Sequence, residues 1–180
     1  MTNALLIIDV QRGLCEGRWA MFEADRVVQC INRLSTQARA SGQCVIFVQH
    51  EELSDGLVHG SQEWQLAQGL HTREGDRFLR KRASDAFHDT GLQALLQELG
   101  VTHLTVCGMQ TDYCVDSTVR RALDLGYAVT LIADAHTTLD DDAVSAAQLI
   151  AHHNRVLSSL GGYAHSVKLV TTANWLTQHG

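Results

Sequence analysis

Short apolar runs alternate with longer segments of helical periodicity along this chain, a pattern typical of a parallel α/β sheet. The first run, residues 4–10, is apolar throughout except for Asp9, as expected of a strand buried on both faces. Further strands are predicted at residues 44–49, 77–81, 103–108, 127–133 and 167–171. Helices are predicted between the strands, among them residues 115–125, residues 141–160 and a short last helix through Trp175. Together they predict a three-layer, doubly wound α/β fold.

The chain has 180 residues, close to the length of one ordinary domain. It contains no internal repeat, no low-complexity tract and no convincing domain boundary. We therefore predict a single domain over residues 1–180. Residues 51–76 are polar and dotted with glycine, and we interpret them as an ordered, functional insertion.

The net charge restricts which molecules the protein can bind, and the cysteine pattern indicates its cellular compartment. The net charge is −6 without a basic block, which argues against nucleic acid and anionic membranes as partners. No apolar stretch approaches the length of a membrane span, and no secretory leader is recognisable. The five cysteines are widely spaced and form no C-x-x-C pair, which favours reduced thiols over a disulfide framework or a zinc site. We expect a cytoplasmic protein that acts on a small molecule.

Three chemically distinct side chains follow predicted strands and should therefore meet at the carboxyl edge of the sheet. Asp9 ends the first strand, Lys81 ends the third, and Cys114 follows the fourth at the start of a helix. A thiol at a helix N-terminus is expected to have a lowered pKa. Each residue also has a structural interpretation: a loop-fixing carboxylate, a solvated basic triplet and an inert buried cysteine.

The chain offers little support for a cofactor or a metal. It has no dinucleotide-binding, P-loop or nucleophile-elbow motif. His152 and His153 are adjacent on a predicted helix and face different directions. His50 and His59 lack the Asp-x-His grouping that a metal site near the second strand would need. We expect no cofactor and no bound metal.

Three segments carry a family resemblance: residues 5–11 (LLIIDVQ), 81–87 (KRASDAF) and 106–115 (VCGMQTDYCV). They resemble the three signatures of the isochorismatase-like cysteine hydrolase superfamily, which includes nicotinamidases, N-carbamoylsarcosine amidohydrolase and ureido-type amidases. The resemblance extends over about residues 4–171. It implies the strand order 3-2-1-4-5-6, with Cys114 as nucleophile, Asp9 as general base and Lys81 as the cation that poises them.

The resemblance also implies a cis peptide at Met109–Gln110 and an oxyanion hole formed by the backbone N–H groups of Gln110 and Cys114. Members of the family are usually homodimers or homotetramers, and an interface around Trp175 is as compatible with the sequence as an ordinary packed terminal helix. The substrate-binding walls are expected from four side chains: Gln11, Leu14, Trp64 and Tyr113. His136 is a weaker candidate for the site.

The favoured function is a cysteine-dependent hydrolase that cleaves a C–N bond of a small, neutral, non-peptide amide, carbamoyl or ureido compound through a thioester. Metal-assisted binding of the nicotinamidase type is not expected, because residues 49–52 read QHEE without the Asp-x-His set. One alternative is an isochorismatase-type vinyl-ether or ester hydrolase without a covalent step. Another is a non-catalytic ligand-binding or scaffold protein that keeps the fold.

Overall fold

The structure, a computed structural model, describes residues 2–54 and 56–179. Six parallel strands form one sheet in the order β3-β2-β1-β4-β5-β6, as predicted. The strands are β1 (Thr2–Ile8), β2 (Cys44–His50), β3 (Arg77–Lys81), β4 (Val101–Met109), β5 (Ala128–Thr137) and β6 (Val167–Val170). Because β1 lies between β2 and β4, the ends of these three strands are neighbours.

Helices cover both faces of the sheet and make a three-layer molecule. They are α1 (Arg12–Cys15), α2 (Ala24–Ala40), α3 (Leu92–Glu98), α4 (Asp116–Asp124), α5 (Ala146–Ser158) and α6 (Thr172–His179). Alternate residues of β1 enter two separate apolar cores: Leu6 packs with α3, α4 and α5, and Leu5 packs with α2 and α6. Trp175 of α6 is almost fully buried in the second core, which favours the packed terminal helix over an interface at this residue. No helix in the described part of the chain is long and apolar enough to cross a membrane.

β5 extends beyond its predicted end at residue 133 and runs to Thr137. The polar residues that suggested a loop have partners within the fold. The Asp134 carboxylate accepts hydrogen bonds from the backbone N–H and the hydroxyl of Thr172, at 2.7 and 2.8 Å, and so caps the start of α6. His136 is buried and is hydrogen-bonded through both ring nitrogens.

α5 begins at Ala146 rather than at the predicted residue 141. The Asp141 carboxylate accepts hydrogen bonds from the N–H groups of Ala143 and Val144, at 2.6 and 2.8 Å, and this folds the preceding residues into a turn. Ser145 then caps the helix in a capping box with Gln148. Local side-chain bonds to the backbone therefore displace the first helical turn.

The backbones of β1 and β4 approach each other closely at the carboxyl edge of the sheet. Gly108 has φ +120°, and a Cβ atom there would lie 2.1 Å from the carbonyl oxygen of Ile8. Only glycine fits this position. The contact brings Asp9, the residue after Ile8, next to the turn that leads from β4 to Cys114.

Candidate active site

A cavity of about 200 Å³ opens at the carboxyl edge of the sheet, where the ends of β1, β2 and β4 meet the segment after β3. It is lined by Asp9, Leu14, His50, Glu52, Leu57, Ser84, Gln110, Tyr113 and Cys114. A wider groove of about 770 Å³ runs along the edge strand β3 but contains neither Asp9 nor Cys114. The smaller cavity is therefore the candidate active site.

Lys81 joins the predicted base and nucleophile. Its Nζ lies 2.7 Å from Asp9 Oδ2 and 3.2 Å from Cys114 Sγ, and it also donates to the carbonyl of Ala83 at 3.0 Å. The side chains of Lys81 and Asp9 are 0% and 1% exposed, so this ion pair is shielded from water. Asp9 Oδ1 is buried without a hydrogen-bond partner among the described residues and is free to receive a proton.

The alternation of side chains along β3 separates Lys81 from its basic neighbours. Arg80 and Arg82 point to the other side of the strand and pair with the two oxygens of Glu51, at 3.3 and 2.9 Å. The basic triplet is thus divided: two guanidinium groups are held by one carboxylate, and only the Lys81 ammonium contacts Asp9 and Cys114. The structural interpretation of a solvated triplet fits Arg80 and Arg82 and does not fit Lys81.

The expected low pKa of Cys114 is wrong. Burial raises the pKa of this thiol to about 12, the negative charge of Asp9 adds to the rise, and the nearby Lys81 ammonium opposes it. Burial also raises the pKa of Asp9, against the attraction of Lys81. Cys114 is the fourth residue of a π-helical turn, Thr111–Val115, rather than the first residue of an α-helix. Below this pKa Cys114 is a thiol, and the raised pKa of Asp9 makes its carboxylate a better base.

His50, the last residue of β2, also contacts Lys81. Its Nδ1 lies 3.3 Å from Lys81 Nζ. Burial and the Lys81 charge lower the pKa of His50, so the ring is uncharged at neutral pH and Nδ1 accepts a hydrogen bond. Lys81 therefore has four acceptors for three N–H groups, and His50 competes with Cys114 for one of them.

A buried polar chain holds the turn that carries Cys114. Asn154 donates its Nδ2 to the carbonyl of Ala133 at 3.0 Å, which leaves its Oδ1 to accept from His136 Nε2 at 2.9 Å. Nδ1 of His136 then accepts from the hydroxyl of Thr111, 2.8 Å away. Thr111 opens the π-helical turn, so His136 positions the nucleophile's segment rather than the substrate.

The predicted oxyanion-hole residues also lie at the cavity. Gln110 and Cys114 both line it, and the Met109–Gln110 peptide bond is cis. Their role as oxyanion donors stays a prediction, because it depends on where a substrate oxygen binds.

Two of the four predicted substrate-binding residues line the cavity and two do not. Leu14 and Tyr113 line it, whereas Gln11 and Trp64 are not among its lining residues in the described part of the chain. Gln11 is fully buried, and its amide bonds to the N–H and carbonyl of His50 and to the carbonyl of Trp64, each at 2.9 Å. It fixes the end of β2 against the insertion and so positions His50. Trp64 packs edge-on against His59.

Sequence reasoning missed four lining residues as walls of this pocket. His50 is the last residue of β2, and the strand-end rule that found Asp9 also points to it, although not as a pocket wall; Glu52 lies two residues farther along the chain. Ser84 lies within the segment 81–87 that carries the family resemblance, which could have pointed to it. Leu57 carries no comparable signal, because only the path of its loop brings it to the cavity. Among the described residues, no group of three or more His, Cys, Asp or Glu side chains has the arrangement needed to hold a metal ion.

The chain was compared with known protein families and solved structures. The family model for the isochorismatase domain matches residues 3–158. The chain belongs to the isochorismatase family of hydrolases. The match spans β1 through α5 and includes Asp9, Lys81 and Cys114. The family resemblance of the three sequence segments is thereby confirmed.

Individual members of the isochorismatase family show how far the similarity extends. Streptothricin hydrolase of Streptomyces noursei is 40% identical over 140 residues, which are 77% of this chain and 55% of that protein. The chain thus spans about half the length of the streptothricin hydrolases it matches. The isochorismatase family protein YddQ of Bacillus subtilis is 31% identical over 178 residues, covering 93% of this chain and 96% of that one. A solved isochorismatase structure from Pseudomonas putida KT2440 is 34% identical, with a TM-score of 0.86 over 95% of this chain and 88% of its own.

Proposed function

We propose that this isochorismatase-family protein is a cysteine hydrolase that cleaves a C–N bond of a small non-peptide amide, carbamoyl or ureido compound through a thioester. One observation carries the proposal: a single buried ammonium, on Lys81, contacts both a carboxylate and a thiol at the wall of a cavity. The cavity of about 200 Å³ suits a small substrate. The similarity to proteins named streptothricin hydrolase supports hydrolysis as the reaction type.

The first half of the reaction forms the thioester. Asp9 takes the proton of the Cys114 thiol on its free oxygen, and Lys81 stabilises the thiolate as it forms. The sulfur attacks the carbonyl carbon, and the carbonyl oxygen becomes an oxyanion held by the N–H groups of Gln110 and Cys114. When the oxyanion collapses, the C–N bond breaks, and the departing nitrogen takes the proton from Asp9.

The second half releases the acid. Asp9, again a carboxylate, removes a proton from a water molecule that attacks the thioester carbon. Collapse of this second oxyanion breaks the C–S bond, and Asp9 returns the proton to the sulfur of Cys114. Each proton that Asp9 accepts is thus delivered in the same half-reaction, which requires a carboxylate whose pKa is not strongly lowered.

Ammonia release from a panel of small primary amides and ureido compounds tests the proposal in wild-type and Cys114→Ser proteins. We expect Cys114→Ser to lose at least about a thousandfold in kcat/KM. Cys30→Ser, which changes a partly buried thiol on α2, is the matched control and should retain activity. Cys114→Ala, which carries no nucleophilic atom, should also be inactive, and turnover that survives in Cys114→Ala would reject the thioester and favour the non-covalent alternative.

We also propose an oligomeric state and a cytoplasmic location for the protein. We expect a homodimer or homotetramer, by resemblance to the family, and light scattering measures it directly. All five cysteines are free, as the reducing cytoplasm favours.

A further inference from the structure

Glu52 places a second carboxylate at the mouth of the candidate active site. It lines the same cavity as Cys114, and its side chain is 46% exposed. Its backbone is held in place, because the Glu52 N–H donates to the carbonyl of Leu57 at 3.1 Å and the residue bridges to Val58. Its carboxylate lies against Gly56: a Cβ at that glycine would be 2.9 Å from Glu52 Oε2. The backbone of Glu52 is therefore fixed at the mouth of the cavity.

No positive charge of the described residues compensates Glu52. Arg80 and Arg82 are both engaged by Glu51, and Lys81 is engaged by Asp9. The nearest basic group is His50, whose Nε2 lies 3.9 Å from Glu52 Oε1, too far for a hydrogen bond. The His50 ring is uncharged at neutral pH because burial and Lys81 lower its pKa.

The cavity thus carries one more negative than positive charge when the thiol is protonated. A carboxylate at the mouth of a cavity that has no cationic partner among the described residues can form a charge-assisted hydrogen bond with a cationic ligand. We propose that Glu52 is a specificity-determining residue that selects substrates bearing an ammonium or guanidinium group close to the scissile amide. This inference rests on the proposed function and replaces the neutral substrate that the sequence alone favoured.

The charge preference is measurable at Cys114 without a known substrate. Three methanethiosulfonates that share one reactive group carry a trimethylammonioethyl, an uncharged methyl or a sulfonatoethyl substituent. Each transfers its thioalkyl group to the thiolate, forming a protein disulfide and releasing methanesulfinate. At one pH both reagents react with the same fraction of thiolate. The ratio of the cationic to the anionic labelling rate is therefore independent of the pKa of the thiol.

For each protein, the rate of labelling by the cationic reagent is divided by the rate for the anionic reagent, and this ratio is normalised to the same ratio for free cysteine. We expect the normalised ratio at Cys114 to be at least about 10 in the wild type. Glu52→Gln should lower it at least about tenfold. Glu74→Gln, at an exposed turn away from the cavity, is the matched control and should leave it unchanged. Peptide mass spectrometry reads each cysteine separately, so Cys30 and Cys44 serve as internal references. A ratio that is the same in Glu52→Gln and in wild type would overturn the proposal.

A matched pair of amides extends the test to turnover. 4-Aminobutyramide carries an ammonium group, and pentanamide is its neutral isostere. We expect wild-type kcat/KM for ammonia release to favour 4-aminobutyramide by at least about tenfold and Glu52→Gln to lose this preference. Equal or better hydrolysis of pentanamide by the wild type would contradict charge selection. Hydrolysis of neither amide would count against the hydrolase function alone, because the labelling ratio tests charge selection independently.

Discussion

Lys81 determines the chemistry of the site at the scale of single residues. One buried ammonium is shared by Asp9, Cys114, His50 and a backbone carbonyl, so each of these groups changes the environment of the others. Breaking a buried ion pair from one side leaves an uncompensated charge, which costs more than removing the pair as a whole. The effects of substituting Asp9 and Lys81 on the free energy of unfolding should therefore be strongly non-additive.

A double-mutant cycle on Asp9→Asn and Lys81→Met tests this coupling by urea unfolding. We expect each single change to cost about 3 kcal/mol and the double variant to cost at least about 1 kcal/mol less than the sum. Arg80→Met is the control, because its ion pair with Glu51 is half exposed and should contribute less than about 1 kcal/mol. Additive effects of Asp9→Asn and Lys81→Met would show that the two charges act independently.

The sequence was sufficient to identify the three residues proposed for catalysis, but not the burial and contacts that determine their pKa values. Asp9, Lys81 and Cys114 each follow a strand, and the family resemblance assigns their roles. The direction of the Cys114 pKa shift depends on burial and on the distance to Asp9, which only the packed structure defines. Gln11 failed as a predicted wall for the same reason: its position near the site did not reveal that its amide bonds to backbone.

At the scale of elements, the site depends on how closely β1 and β4 approach. Gly108 has no room for a side chain, since its Cβ would lie 2.1 Å from the Ile8 carbonyl oxygen. Any substitution must push the two strands apart, and the displacement would pass directly to Asp9 and to the turn before Cys114.

Gly108→Ala should lower the free energy of unfolding by at least about 3 kcal/mol or prevent folding. Gly100→Ala is the matched control: this glycine also has a positive φ, +61°, but a Cβ there meets nothing within 4 Å. It should cost only about 1 kcal/mol, from backbone strain alone. Urea unfolding measures both, and equal costs would mean that the close contact is unimportant.

The strand order followed from the family resemblance, and apolar patterning gave most strand bounds to within about two residues, as for β1, predicted at residues 4–10 and observed at Thr2–Ile8. Two boundaries differ by more. β5 extends to Thr137 because Asp134 and His136 find partners on α6 and α5, and sequence pattern treats such polar residues as a loop. α5 starts late because Asp141 bonds to the backbone ahead of it. Leu57 and Ser84 reach the cavity through loops whose course no periodicity encodes.

At the scale of the whole molecule, the buried polar chain from α5 through β5 to the turn that carries Cys114 links stability to pH. Burial lowers the pKa of His136 from 6.5 to about 4. Between these pH values the unfolded chain binds a proton at His136 that the folded chain does not. The contribution of His136 to stability is therefore complete above pH 6.5 and is lost as the pH falls toward 4.

The loss amounts to about 3 kcal/mol, from about 1.4 kcal/mol per pH unit. Urea unfolding of wild type and His136→Gln at pH 7.5 and pH 4.5 measures it. Glutamine cannot take up the proton, so we expect the stability difference between the two proteins to shrink by about 2 kcal/mol or more at the lower pH. A difference that is the same at both pH values would show that His136 titrates alike in the folded and unfolded chains.

The rate of iodoacetamide alkylation at Cys114 against pH, in wild type and Asp9→Asn, is the most direct test of the coupling among Asp9, Lys81 and Cys114. The Asp9 charge raises the pKa of the thiol, and Lys81 remains when the carboxylate is removed. Asp9→Asn should therefore label Cys114 at least about tenfold faster at pH 7.5 while losing turnover. Asp112→Asn is the control, since that carboxylate bonds to Thr138. Unchanged or slower labelling in Asp9→Asn would contradict the electrostatic coupling by which the Asp9 charge raises the pKa of the Cys114 thiol.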